Sequence, residues 1–127
     1  MQVRVATLDD LDDVEQILDA AALETDRERT RASIRARETV VAVEGGRLLG
    51  AAVCIPEASG VRIDAIAVRK RRQAQGLGTA LVERIVEDHE RVVAAFDERV
   101  RPFYASLGFE IEPIEDEDRY RGRYRRE

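Results

Sequence analysis

Apolar residues near the N-terminus follow two spacings, one typical of a strand and one typical of a helix. Val3 and Val5 alternate with polar neighbours, which is the period-two pattern of a half-buried strand. From Leu11 to Ala21 the apolar residues instead recur at helical spacing and form one stripe. Thr7 precedes this stripe, and its side chain can cap the first turn. The pattern therefore predicts a short strand followed by an amphipathic helix.

A second helix is predicted from Thr25 to about Arg37, because Thr25 and Glu28 have the spacing of a capping box. Its apolar residues are few and mostly small, with Ile34 the largest, so they cannot make a wide core face. Two interpretations stay open. The helix is either a solvated connector at the rim of the fold or one wall of a substrate cleft.

An antiparallel meander of three strands is predicted next. The segments Thr39 to Glu44 and Arg47 to Ile55 are joined by Gly45-Gly46, which supplies the positive φ angles of a two-residue hairpin turn. Val61 to Val68 forms the third strand, and both of its faces become apolar toward its end. This suits a central strand covered on both sides. Strict alternation puts four of its residues on one face: Val61, Ile63, Ala65 and Ala67.

The C-terminal half alternates helices with strands. Helical spacing from Leu77 predicts a helix that ends in the polar cluster Glu87 to Arg91, and the apolar run Val92 to Phe96 predicts a buried strand parallel to its predecessor. A short helix from Asp97, its cap, to Leu107 and a strand from Phe109 to Glu112 follow. From Arg119 to Arg125 every second residue is arginine, which predicts an edge strand whose outward arginines discourage further pairing.

Size and charge narrow the function classes. A chain of 127 residues with 44% hydrophobic residues is expected to form one domain, residues 1–127. The formal net charge of -5 argues against general binding to nucleic acids or anionic membranes, although an RNA-gripping arm from Arg119 to Arg126 is an alternative to the edge strand. Cys54 is the single cysteine, and neither a signal pattern nor a transmembrane-length apolar run is present. We therefore expect a cytoplasmic protein.

The stretch from Val68 to Leu81 carries a chemical signal, because an apolar strand gives way there to a basic, glycine-containing turn that opens a helix. Gly76 and Gly78 lack a Cβ, so an anion can approach the main chain closely. The first amides of a helix have no intrahelical acceptor and lie at the positive end of its dipole. The pattern is typical of a phosphate site, but an ordinary loop-to-helix joint has the same glycines.

Two motifs in this order of elements resemble the GNAT superfamily of N-acetyltransferases. The segment from Gln73 to Gly78 is similar to the family's Gln/Arg-x-x-Gly-x-Gly/Ala motif, and Phe103 to Phe109 is similar to its Phe-Tyr-x-x-x-Gly-Phe segment. The resemblance spans essentially the whole chain. It implies an α/β (α+β) fold in which about four helices flank a mixed, mainly antiparallel central sheet of about six to seven strands. It also implies acetyl-CoA as the acetyl donor, and no metal.

The resemblance assigns the cofactor-binding residues. Amides at the helix start would hold the pyrophosphate, basic side chains before them would pair with CoA phosphates, and the strand ending at Val68 would splay from the next strand to receive the pantetheine arm. Asp97 stands where many members have an asparagine that contacts cofactor or water, and the chain lacks a proline after Val68. The predicted set is Ile66, Ala67, Val68, Arg71, Arg72, Gln73, Ala74, Gln75, Gly76, Leu77, Gly78, Thr79, Asp97 and Phe103.

Transfer to an amine needs an acid and a base. An amine attacks a thioester only when neutral, and a lysine-like amine with a pKa of ~10.4 is almost wholly protonated at pH 7. Asp64 is the candidate base, directly or through water, and its alternative is an ion pair with a neighbour such as Arg62. Tyr104 lies where the family often places its general acid, and its alternative is a packed tyrosine with an idle hydroxyl. Cys54 is expected to pack in the core, which favours direct transfer in a ternary complex.

The sequence therefore predicts an acetyl-CoA-dependent N-acetyltransferase that acts on a primary amine, either a small molecule or a peptide N-terminus. The second hypothesis is a binding protein of the same fold, which senses acyl-CoA or recruits a partner without transferring a group. The exposed last strand also offers a surface on which two copies could form a homodimer.

Overall fold

One mixed sheet organises the computed structural model, which describes residues 1–21, 23, 25–73 and 75–126. In these residues seven strands follow the order β1-β2-β3-β4-β5-β7-β6, and every neighbouring pair is antiparallel except β4 and β5. The predicted fold class is confirmed. The strands are β1 (Gln2–Val5), β2 (Thr39–Glu44), β3 (Arg47–Glu57), β4 (Gly60–Val68), β5 (Arg91–Asp97), β6 (Glu110–Pro113) and β7 (Arg119–Arg125). The helices are α1 (Leu11–Ala20), α2 (Arg27–Arg35), α3 (Leu77–Asp88) and α4 (Arg101–Ser106).

The sheet separates two apolar cores. Helix α3 packs against β2 and β3 on one face, where Leu81 and Ile85 are buried. Helices α1 and α2 pack on the other face, where Val14, Leu18 and Ile34 are buried. Because each helix presents one apolar stripe, the central strands are covered on both sides, as the apolar pattern of β4 predicts. None of the helices in the described residues is long and apolar enough to cross a membrane.

A bulge in β4 changes which core its residues enter. The pairing of β4 with β3 shifts by one residue at Asp64. Val61 and Ile63, before the bulge, belong to the α3 core, whereas Ala65 and Ala67, after it, belong to the core under α1 and α2. The prediction that these four residues share one face is wrong, because strict alternation does not anticipate an extra residue.

The arginine-rich tail is an interior strand, so the predicted edge strand is wrong. β7 lies between β5 and β6, and its pairing with β5 runs from Arg125 opposite Arg91 to Arg119 opposite Asp97. Gly122 is buried in β7, and a Cβ there would lie only 2.9 Å from the ring of Phe96. The alternating arginines indicate that one face of the strand is exposed to solvent. A strand at the edge of a sheet and a strand in its interior can both have such a face, so the pattern does not distinguish the two positions.

Carboxylates accept hydrogen bonds from backbone amides near the start of both N-terminal helices. The backbone amide of Thr7 donates to Asp10 Oδ2 at 2.8 Å, and the Arg4 guanidinium donates to both oxygens of the same carboxylate at 2.8 and 3.1 Å. The bonds from Arg4 hold the pKa of Asp10 below its ordinary value. In α2 the cap is Asp26, one residue after the predicted Thr25, because its carboxylate accepts from two free backbone amides of the first turn.

Candidate functional site

The parallel contact within the sheet opens into a slot. β4 and β5 pair over only three residues of each strand, ending at Ile63 opposite Ala94, although β4 continues to Val68 and β5 to Asp97. Past that point, no strand of the described chain pairs with the edge of β4 that faces β5. Unpaired main-chain amides and carbonyls along this edge need partners, so they can bind an extended ligand. This is the splay that the sequence predicts.

A cavity of about 230 Å³ lies where β4 ends and α3 begins, and we call it the cradle. Gly76 caps α3 with a φ of 80°, a left-handed conformation that glycine adopts without strain. A Cβ on Gly76 would meet no atom within 4 Å, so the space before the helix is open. The walls of the cradle all come from the predicted set: Val68, Arg72, Gln73, Gly76, Leu77, Gly78, Thr79 and Phe103.

Contacts across the cradle fix its shape. The Gln73 side-chain amide donates to the Val68 carbonyl at 3.3 Å and ties the turn to the end of β4. The ring of Phe103 lies 3.5 Å from where a Cβ of Gly78 would be, so α4 packs directly on the start of α3. These contacts bring the two sequence motifs together around one cavity.

Five other predicted binding residues lie outside this wall. Ala67 is buried in the core under α1 and α2, and Ile66 is half-buried on β4. Arg71 and Gln75 line a larger neighbouring cavity. Asp97 Oδ1 accepts from a backbone amide two residues later at 3.0 Å, so it caps a turn and not a helix, since α4 begins only at residue 101. The predicted residue Ala74 lies outside the described residues.

Tyr104 lies in an aromatic cluster on α4. Its ring stacks on Phe96 with centroids 4.5 Å apart, and it makes edge contacts with Phe103 and Phe109 at 5.1 Å. The side chain is buried, and burial together with the nearby Cys54 raises the pKa of Tyr104. Burial disfavours the phenolate, so the hydroxyl keeps its proton at neutral pH and is a weaker acid than that of an exposed tyrosine.

Asp64 projects from the bulge of β4 and forms the ion pair that was its alternative interpretation. Its side chain is 16% exposed, and Oδ1 accepts from Arg62 at 3.2 Å and from Arg29 at 3.5 Å. Both bonds use the same oxygen, so neither arginine engages Oδ2. The two guanidiniums fix the carboxylate while one oxygen remains for a further contact.

Cys54 is fully buried beside both candidates. Burial, followed by the charges of Glu38 and Asp64, raises the pKa of Cys54 to about 12. The thiolate is the nucleophilic form of cysteine, so this side chain is inert at neutral pH. The carbonyl of Cys54 accepts a hydrogen bond from Ser33 at 2.6 Å, which fastens α2 to β3.

Arg29 is the site residue that sequence reasoning missed. It reaches Asp64 from α2 across 35 positions of the chain, and nothing in its local pattern distinguishes it from the other arginines. Its contact places α2 beside the slot, which agrees with the cleft-wall interpretation of that helix. A pairing over such a separation becomes visible only once the fold brings α2 over β4.

The comparison with known families decides the assignment. A family model of the acetyltransferase (GNAT) domain matches residues 35–111. The chain belongs to the GNAT acetyltransferase family. The matched span includes both the cradle and the segment Phe103 to Phe109, so it contains both motifs that carry the resemblance. No curated protein sequence matches the chain significantly.

Solved structures share this GNAT fold. The Rv2747 protein of Mycobacterium tuberculosis, in complex with CoA, has a TM-score of 0.81 at 20% identity, over 98% of this chain and 99% of that one. The yncA protein of Salmonella typhimurium, with its cofactor acetyl-CoA, has a TM-score of 0.78 at 20% identity, over 98% and 93%. The ribosomal-protein-S18-alanine N-acetyltransferase of Escherichia coli has a TM-score of 0.79 at 18% identity, over 96% and 90%.

Proposed function

We propose that this GNAT acetyltransferase is an acetyl-CoA-dependent N-acetyltransferase that acts on a primary amine, with residues 1–127 as one catalytic domain. The observation that carries the proposal is the slot between β4 and β5, which opens beside Asp64 at the bulge of β4 and runs to the cradle at the end of that strand. The neighbours described with CoA and with acetyl-CoA support this choice of donor.

The cradle suits the pyrophosphate of the donor. It combines an open helix N-terminus with a left-handed glycine and the guanidinium of Arg72. Backbone amides between Gly76 and Thr79 would hold the phosphate oxygens, while main-chain groups from Ile66 to Val68 would pair with the pantetheine arm. Acetyl-CoA supplies an acetyl group activated as a thioester. An amide of the same β4 edge would polarise its carbonyl.

Two side chains would move the protons. Asp64 would accept the proton of the attacking amine through Oδ2, directly or through water, while Arg62 and Arg29 hold its other oxygen. Tyr104 would protonate the leaving thiolate, since its buried hydroxyl carries its proton at neutral pH. Cys54 stays a neutral thiol, so the acetyl group would pass directly to the amine.

The acceptor would be a small-molecule amine or a peptide N-terminus. The neighbour named as a ribosomal-protein-S18-alanine N-acetyltransferase supports the peptide class. Around Asp64 the site presents charges of both signs, since Arg62 also pairs with Glu57 at 3.2 Å. An acceptor that carries an ammonium group and a nearby polar group would find partners for both.

Replacing Tyr104 by Phe tests the proposal against the alternative of an acyl-CoA sensor. We expect kcat for amine-dependent thiol release to fall by about 100-fold, because a positioned acid contributes ~10²–10⁴-fold. The Kd for CoA should stay within about twofold, since the ring and its stacking are kept. The control Tyr124→Phe removes a hydroxyl elsewhere and should change neither value. Unchanged turnover in Tyr104→Phe would remove Tyr104 from the mechanism.

A further inference from the structure

The face of the sheet that carries α1 and α2 is covered over only part of its width. These helices pack on β2, β3 and β4. Farther along the sheet, Ala95 of the interior strand β5 is exposed, and so are all the arginines of the next strand, β7. We call this uncovered surface of β5, β7 and β6 the arginine face. Its arginines are Arg91, Arg119, Arg121, Arg123 and Arg125.

Side-chain alternation places the arginine face on the opposite side of the sheet from the cradle. Val92 and Ala94 of β5 belong to the α3 core, so Ala95 points to the other side. Residues that lie directly opposite each other on paired strands share a face, and Arg121 lies opposite Ala95. The cradle is instead formed by the start of α3 and by Phe103 of α4. A ligand in the cradle therefore leaves the arginine face open.

The arginine face has more basic than acidic side chains, in a chain whose formal net charge is -5. Glu112 already pairs with Arg123. Neither Arg121 nor Arg125 forms an ion pair with any residue that the structure describes. A surface with uncompensated positive charge favours an anionic partner. The carboxylates that share the face are Asp97, Glu110 and Glu112.

The arginine face begins beside the slot, since β5 forms one wall of the slot and Arg121 lies next to it on β7. Arg62, which donates to Asp64, lies opposite Val93 of β5. Val93 in turn lies opposite Arg123. These two strand spacings amount to about 10 Å, which an extended peptide spans with about three residues. A peptide whose N-terminal amine meets Asp64 would therefore reach the arginines with about its fourth residue.

We propose that the arginine face binds the segment that follows the N-terminal amine of an acidic peptide acceptor. The inference rests on the proposed function and specifies its substrate class. Arginines at alternate positions of β7 recur about every 7 Å, which is also the spacing of alternate side chains in an extended peptide. Carboxylates of the peptide would form charge-assisted hydrogen bonds with the guanidiniums.

The composition of the face suits a peptide better than RNA. Sheets that bind single-stranded RNA stack its bases on aromatic side chains. The aromatic residues of β7, Tyr120 and Tyr124, pack against the α3 core on the opposite side of the sheet. The carboxylates of the arginine face would also repel a phosphodiester backbone, whereas a peptide can place neutral side chains beside them.

Binding and turnover assays separate this inference from the proposed function. The probes are a short peptide with a free N-terminus and glutamates beyond its third residue, the same peptide with glutamines, and a single-stranded RNA of equal charge. The test variant is Arg121→Gln with Arg125→Gln, and both side chains are exposed. The matched control, Arg35→Gln with Arg37→Gln, removes two exposed charges outside the arginine face. Thermal unfolding verifies that both variants are folded.

Calorimetry at fixed ionic strength measures the affinity of each probe for CoA-saturated protein. We expect wild type and control to bind the glutamate peptide about fivefold more tightly than the glutamine peptide, since two exposed ion pairs together contribute about that factor. The test variant should lose this preference. A folded test variant that keeps the preference overturns the inference. Tighter binding of RNA than of the glutamate peptide, weakened only in the test variant, also overturns it.

Thiol release from acetyl-CoA gives the second readout. We expect wild type and control to have a higher kcat/KM for the glutamate peptide than for the glutamine peptide. Thiol release with equal kcat/KM and equal affinity for both peptides overturns the inference and leaves the proposed transfer intact. Selective binding of the glutamate peptide without thiol release supports the arginine face as a site for acidic peptides and contradicts the proposed transfer.

Discussion

The two ends of the slot differ in the chemical groups that form them. The donor end, the cradle, consists of main-chain amides, a left-handed glycine and an aromatic wall, all drawn from two short segments. The proposed acceptor end, around Asp64, consists of charged side chains from α2 and from β4 at and before its bulge. Under the proposed function, donor recognition would therefore depend on backbone conformation, whereas proton transfer and acceptor recognition would depend on the placement of individual charges.

Removing the charge at the acceptor end should have the largest effect. Asp64→Asn keeps the shape of the side chain but removes its ability to accept a proton, so we expect kcat/KM for the amine to fall by about 100-fold. The Kd for CoA should remain within about twofold, because the cradle is untouched. Asp88→Asn, at the end of α3, is the control and should leave both values unchanged. A variant that loses CoA affinity but keeps turnover would contradict this division of roles.

The turn that precedes α1 is also stabilised by a carboxylate. Asp10→Asn should lower the free energy of unfolding at pH 7 by about 1–2 kcal/mol, since it weakens the Arg4 bonds and the cap at Thr7. The folded-state pKa of Asp10 is lowered, so its contribution is complete above the unfolded pKa of ~3.9 and is lost as the pH falls through the folded pKa.

Urea unfolding of wild type and Asp10→Asn between about pH 7 and pH 2 measures this contribution. The difference between the two curves should shrink on the acid side. The exposed neighbour Asp9 provides the control, because Asp9→Asn should change stability little at either pH. A difference that stays constant down to pH 2 would mean that the charge of Asp10 is not the stabilising feature.

At the donor end, conformation should matter more than charge. Gly76→Ala places a Cβ on a residue with a φ of 80°, which costs about 1–2 kcal/mol in the left-handed region. We expect the turn to relax away from its binding conformation and the Kd for CoA to rise about tenfold. Gly46→Ala is a matched control, since Gly46 has a φ of 78° in the β2–β3 hairpin and equally open surroundings. Equal losses of CoA affinity in both variants would contradict a specific role for the cradle.

The smallest effect on activity is expected at Cys54, which is buried in β3 opposite Ile63. Cys54→Ala should keep kcat within about twofold, because a thiol with a pKa of about 12 takes no covalent part in transfer. The loss of a buried side chain should cost about 1 kcal/mol of stability, measured by urea unfolding. Intact-protein mass spectrometry during turnover should show no acetylated enzyme, and an acetyl group on Cys54 would contradict direct transfer.

The same contrast explains which parts of the molecule could be predicted from sequence. The cradle could be predicted from sequence because Gly76 and the strand and helix patterns that flank it lie within one short segment. The backbone conformation of this segment depends on its local sequence. The hairpin at Gly45-Gly46 could be predicted for the same reason, and its φ angles of 58° and 78° match the prediction.

Features that depend on contacts between residues far apart in the sequence could not be predicted in this way. The bulge at Asp64 depends on the register between β3 and β4, and the interior position of β7 depends on space that Gly122 leaves for Phe96. Arg29 meets Asp64 only after α2 folds over the sheet. In each case the local pattern is satisfied by more than one arrangement, and packing between distant segments selects one.

An acceptor screen with acetyl-CoA tests the proposed transfer most directly. Free-thiol release is followed over a set of small amines and peptides with free N-termini, and acetylated product is quantified by mass spectrometry. We predict that at least one amine gives thiol release in equal amount to its acetylated product, and that Asp64→Asn and Tyr104→Phe slow both together. Tight CoA binding without amine-dependent thiol release from any acceptor would contradict catalysis and favour an acyl-CoA sensor.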